Sequence, residues 1–289
     1  MQSVKSLLCS SILAFFVGCN NNENGKNESQ KSEISEQRIV EVVRKMLAEH
    51  PEDFVTAIDA GVQKRQQEVI TKIEQNATSN QSKLFNAKLV IGDSKAPVKL
   101  ALFFDPLEPV SKKFISEVMM PIAKERNDVA FFLVPVSVYG EQEGNASAPT
   151  SLLAAKATIA ASFQNSQKAV DFLLKFPDIR DHTALTTTRV LQFAKEAGLD
   201  SEKLKSDIEN ESMQQELIAH GRIAIDIGIP LQMPVIFIST NKGLEMIPAF
   251  IKDKMDLVVD AVKANRPWQD ALNNQEVSPK PTEPEGAKK

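Results

Sequence analysis

The apolar positions along the chain change period several times, and each change marks a different element. Residues 7–17 form a short, mainly apolar run, too short to span a bilayer comfortably. Residues 20–32 contain no apolar side chain, the composition of a flexible tether. Ile39, Val42, Val43, Met46 and Leu47 then recur at helical spacing. Pro51, followed by Glu52 and Asp53, suits the first turn of a second helix. Along that helix Phe54, Ile58, Val62, Val69 and Ile73 form a narrow stripe near the 3.5-residue period of a coiled-coil seam. Residues 76–82 are expected to be a polar linker and a boundary.

From about Leu84 the pattern is that of a folded body. Residues 97–104 are apolar on both faces and bounded by Pro97 and Asp105, a buried strand. Residues 111–126 carry Phe114, Ile115, Val118 and Met119 on one helical face, with Pro121 expected to bend or divide the helix. Residues 129–138 form a second strand, so strand, helix and strand predict a parallel unit. A helical block runs from about 149 to 226. Val235–Ile238 is a strand, Asn241-Lys242-Gly243 has turn chemistry, and residues 244–247 return antiparallel. A last helix covers 252–263, and the Pro/Glu/Lys/Gly-rich residues 273–289 are expected to be a disordered tail.

Composition adds exclusions. The 289 residues carry a net charge of -4, with no basic excess to point to nucleic acid. The cysteines are two, Cys9 and Cys19, so no disulfide framework exists in the body. No metal-ligand spacing, phosphate loop or strong acid-base pair is present, and neither a metal nor a cofactor is expected. Lys5 and the apolar run end in Phe16-Val17-Gly18-Cys19, which looks like a lipobox. Residues 1–18 then read as a lipoprotein signal peptide and Cys19 as the lipid-bearing residue, with 19–33 as tether. The alternative is an ordinary signal peptide cut nearby. Residues 34–82 read as a helical arm that packs either on its own domain or on a second copy, as a dimer or trimer.

The order of elements resembles the DsbA-like thioredoxin-fold family. Residues also carry the likeness. Ile91–Val98 is similar to the family's approach to its first strand, and Phe103-Phe104-Asp105 precedes the position of the redox motif. Residues 194–200 resemble the helix-turn in its helical insertion, and Met233-Pro234-Val235 resembles the loop with the cis-proline. The match covers roughly 84 to 265, and the arm resembles, more weakly, the oligomerisation segments of dimeric and trimeric members. The resemblance implies an α/β thioredoxin-like domain over 84–272, with a helical insertion at about 149–226, preceded by a helical N-terminal arm.

Where the family has Cys-Pro-x-Cys, this sequence has Glu108-Pro109-Val110-Ser111. Neither a carboxylate nor an alcohol replaces a thiolate in disulfide exchange. No catalytic residue is therefore assigned. Glu108 at a helix start reads either as a solvated first-turn acid or as a base or polar contact for a bound chain. His50, His182 and His220 lie elsewhere in sequence. The resemblance implies a groove, between the Glu108 helix and Met233, Pro234 and Val235, for an extended segment of an envelope or secreted client. The expected function is a redox-inactive envelope lipoprotein, anchored through lipid on Cys19 and facing the periplasm or cell exterior, with a chaperone-like or scaffold role. The other reading is an enzyme: a redox protein using a partner's thiols, or an acid-base catalyst using Glu108.

Overall fold

A pair of parallel strands, each apolar on both faces, forms the centre of the sheet. The computed structural model describes residues 36–138, 148–178, 185–230 and 232–273. The chain divides into two units, up to Ala60 and from Gly61.

The first unit holds α1 (Glu36–Glu49) and the first ten residues of α2 (Pro51–Ser79). Pro51 opens α2, where its missing N–H costs nothing. Every described residue of this unit is exposed, including Ile39, Val43, Met46, Phe54 and Ile58.

In the second unit, α3 (Gln81–Leu84) leads into β1 (Leu89–Gly92) and β2 (Val98–Phe104). The run α4 (Pro109–Phe114), a π-helical segment (Ile115–Met119) and α5 (Met120–Glu125) connects β2 to β3 (Val129–Pro135). Pro121 divides this run as expected: it has no N–H to donate, and the π segment before it has Met120 N–H bonded to the Ile115 carbonyl. The helical block comprises α6 (Ala148–Gln164), α7 (Ser166–Leu173), α8 (Thr187–Glu196), α9 (Ser201–Glu209) and α10 (Glu211–Ile227). β4 (Val235–Thr240) and β5 (Gly243–Ile247) form the hairpin, followed by α11 (Lys252–Lys263) and α12 (Trp268–Asn273).

The sheet order is β1-β3-β2-β4-β5, with β2 and β3 parallel and every other neighbour antiparallel. Side chains alternate between two cores. Leu100, Leu102 and Phe104 of β2 face the helices α4–α9 and α11, while Ala101 and Phe103 pack with Ile73, Ala77, Leu84 and Ile227 on the other face. Burial on both faces explains why the strand reads as a continuous apolar run. Strand β1, which the sequence pattern did not predict, is short and pairs with β3 at one edge.

The expected linker at 76–82 is not one. Helix α2 continues to Ser79, and Ala77 is fully buried. Asn76 donates to the Ile227 carbonyl at 3.3 Å. The Thr78 hydroxyl accepts from Leu244 N–H at 2.8 Å, and Glu74 Oε1 accepts from Met246 N–H at 2.9 Å. A run of small polar residues reads as a linker by composition, but here it supplies the donors and acceptors that close a sheet edge. Gly243 allows the approach: its φ is +119°, and a Cβ there would meet Thr78 Oγ1 at 2.5 Å.

Candidate functional site

Strand β2 delivers the chain to a turn held by a buried carboxylate. Asp105 is fully buried, and its Oδ1 accepts from Leu107 N–H at 3.0 Å. Its Oδ2 accepts from Val138 N–H at 3.1 Å and from the Ser151 hydroxyl. A buried carboxylate without partners costs several kcal/mol, so these bonds fix the turn to the end of β3 and the start of α6.

Glu108 follows and caps α4. Its backbone is extended, and its side chain bends back over the helix start. Oε1 accepts from Val110 N–H at 2.9 Å; Oε2 accepts from the Ser111 N–H and, at 2.7 Å, from the Ser111 hydroxyl. Pro109 at the first helical position has no N–H to leave unpaired. The carboxylate is a one-sided cap rather than a capping box: the Ser111 hydroxyl three residues on donates to it, and Glu108 N–H bonds instead to the Asp105 carbonyl at 2.9 Å. Glu108 is 8% exposed and Ser111 fully buried. The solvated acid expected from sequence is thus a buried one, committed to its own helix. Among the described residues, no group converges on its carboxylate from another element through a hydrogen bond. Val110 alone of the four projects outward, at 54% exposure.

The Met233–Pro234 bond is cis, as the resemblance implied, and Val235 starts β4 opposite Phe103. Helix α10 ends in a left-handed Gly228, with Ile229 N–H returning to the Ala224 carbonyl, a cap that turns the chain sharply. Beside this turn lies a cleft of about 270 Å³. Val138, Leu152, Ile225, Ile229 and Met233 make its walls apolar, and Arg222 supplies a cation. Ile225 is 71% exposed. The residues lining this cleft include Met233 but neither Glu108 nor Val110. Nothing in the residue pattern marks α10 as part of this cleft, because Ile225 looks like any other member of an apolar helical stripe.

His220 hydrogen-bonds elsewhere: its Nδ1–H donates to the Pro135 carbonyl at 3.0 Å, and its Nε2 lies 3.8 Å from Glu216. Burial pushes its pKa below the ordinary value of 6.5, against the smaller opposing effects of that carbonyl and of Glu216. His50 is exposed on the arm. Cys19 and His182 lie outside the described residues. Among the described residues no cluster of metal-ligating side chains occurs.

A thioredoxin family model matches residues 133–246. No curated protein sequence matches the chain. The structure is similar to BcfH of Salmonella enterica Typhimurium, with a TM-score of 0.64, 21% identity, and coverage of 78% of this chain and 95% of that one. It is similar also to Proteus mirabilis ScsC in a transitional conformation, with a TM-score of 0.53, 21% identity and coverage of 79% and 97%. The thiol-disulfide exchange protein α-DsbA2 from Wolbachia pipientis gives a TM-score of 0.52, 17% identity and coverage of 65% and 94%.

Proposed function

From a chain with the fold of the DsbA-like thioredoxin family we infer an envelope lipoprotein that binds extended client segments and performs no disulfide exchange of its own. The carrying observation is the Glu108–Ser111 cap. The two positions that would hold sulfur instead hold a carboxylate and a hydroxyl bonded to each other, at 2.7 Å. Disulfide exchange passes through a mixed disulfide, and a chain whose cysteines are Cys9 and Cys19 has no sulfur at this site to form one. The acid-base alternative loses support, because the Glu108 carboxylate is buried against its own helix.

Binding needs no sulfur. The cleft beside Met233 is open and apolar, and methionine adapts to varied side chains. Arg222 on its wall sets the charge preference for the client. Glu108 is not among the residues lining this cleft, so the bound segment is apolar with an acidic residue near Arg222. The exposed apolar faces of α1 and α2 fit a second copy of the chain, giving a dimer or trimer that presents several clefts at once. Lipid on Cys19 holds the assembly at a membrane.

Two assays test this reading. The purified protein should not accelerate insulin reduction above buffer, and turnover in the absence of contaminating oxidoreductase would contradict it. Fatty-acid label should enter the wild type and not Cys19→Ser; equal labelling would remove the anchor.

A further inference from the structure

On the side of the sheet closed by α2, a second cleft of about 600 Å³ lies between the end of α2, the β4–β5 hairpin and the α11–α12 turn. Its volume is in the range of small-ligand sites, roughly 300–1,000 Å³. Its chemistry differs from that of the Met233 cleft.

The sequence builds it locally. Helix α11 ends with Asn265 in the left-handed region, at φ 56°. Asn265 N–H bonds to the Val262 carbonyl and Arg266 N–H to the Ala261 carbonyl, a pairing that stops the helix and turns the chain back. Pro267 follows and Trp268 begins α12. Trp268 is the chain's one tryptophan. Its indole N–H donates to Glu245 Oε2 at 2.9 Å, and its ring packs on Phe250 with centroids 5.9 Å apart. The ring is therefore fixed in orientation while it lines the cleft and stays part-exposed.

Around it stand side-chain amides without hydrogen-bond partners among the described residues: Gln75, Asn241, Asn265 and Gln269. Each amide both donates and accepts, as a hydroxyl does. A fixed indole ring, in a cleft lined also by groups that donate and accept together, matches a pyranose ring with its apolar C–H face and hydroxyl rim. Lys242 and Arg266 also line the cleft, and neither has a carboxylate partner among the described residues. Two unspent cations beside a polar cleft favour an anionic group on the ligand.

Other ligand classes fit less well. An extended peptide adding to the β5 edge is blocked, because Leu244 N–H and Met246 N–H are already taken by Thr78 and Glu74. A polyphosphate would face the carboxylates of Glu74 and Glu245 in the same wall. A single carboxylate reaching Lys242 and Arg266 carries less charge toward those acids. We propose that this cleft binds a saccharide bearing a carboxylate.

Because Trp268 is the sole tryptophan, the emission of the full chain reports on this cleft and on no other. The probes are a hyaluronan tetrasaccharide, which carries uronic carboxylates, and chitotetraose, which is neutral. The acidic sugar should change the emission saturably and bind about tenfold more tightly than the neutral one. The exposed Lys242→Gln and Arg266→Gln substitutions should abolish that preference while leaving chitotetraose affinity unchanged, with circular dichroism confirming the fold. Calorimetry on the same pairs supplies a second readout. No response to either sugar at millimolar concentration, or equal affinity for both in the wild type, would overturn the proposal. Client capture at the Met233 cleft is unaffected by either outcome.

Discussion

The Ser111 hydroxyl donates to Glu108 Oε2 at 2.7 Å, inside a helix start that is almost closed to solvent. This one bond explains why the two residues form a structural pair. Glu108→Ala should lower stability by about 1–2 kcal/mol, the usual scale of a lost N-cap with a buried hydroxyl left short of its acceptor. Ser111→Ala should cost about 1 kcal/mol, and the double substitution less than the sum of the two. Urea unfolding measures all three; strictly additive costs would show that the pair is not coupled.

The same geometry makes a gain of chemistry testable. Glu108→Cys with Ser111→Cys places one sulfur at the N-cap and one three residues on, where backbone N–H groups favour a thiolate. The doubly substituted protein should reduce insulin while the wild type does not. Failure of a folded double variant would show that more than the absence of sulfur keeps this helix start from redox work.

Truncation separates the two parts of α2. A chain starting at Gly61 keeps Ile73, Ala77 and the Thr78 and Glu74 bonds to β5, so it should fold and, without the exposed arm, be monomeric. A chain starting at Leu84 loses these contacts. Exposing the β5 edge and the core around Phe103 should cost several kcal/mol and promote aggregation. Light scattering and thermal unfolding distinguish the two. Equal mass per particle with and without residues up to 60 would rule out the arm as the assembly element.

His220 links stability to pH. Its pKa is lowered in the folded protein by burial, so the unfolded chain binds the proton more readily below the ordinary value of 6.5. Stability from this group is complete above that value. It declines as pH falls from 6.5 toward the folded pKa and is not recovered below it. His220→Asn, whose amide nitrogen takes the place of Nδ1 and keeps a donor for the Pro135 carbonyl, should flatten this part of the profile. An unchanged slope in urea midpoints between pH 7 and 5 would assign the dependence to other groups.

The strands β2 to β5 and the helical block were legible because burial on two faces, or on one helical stripe, leaves a periodic apolar record. Pro51 and Pro121 were legible because proline has one backbone meaning at a helix start or in its interior. The end of α2 was misread. Asn76, Thr78 and Ser79 act through side-chain hydrogen bonds to distant backbone, and composition carries no trace of the partner. Strand β1 is four residues long, and its edge is covered by Ser166, whose hydroxyl lies 2.6 Å from Val90 N. At the site, the absence of cysteine from 108–111 was plain. The direction of the Glu108 side chain, turned inward instead of toward a ligand, depended on the fully buried Ser111 three residues later.

The most direct test of client binding is photocrosslinking in intact cells from a photoreactive residue at Ile225, an exposed residue lining the Met233 cleft. One dominant protein adduct is expected, of equal yield with and without dithiothreitol, and lost when Met233→Asp is added to a protein that circular dichroism shows folded. An adduct that persists undiminished beside Met233→Asp, or that disappears under reducing conditions, would contradict sulfur-independent binding at this cleft.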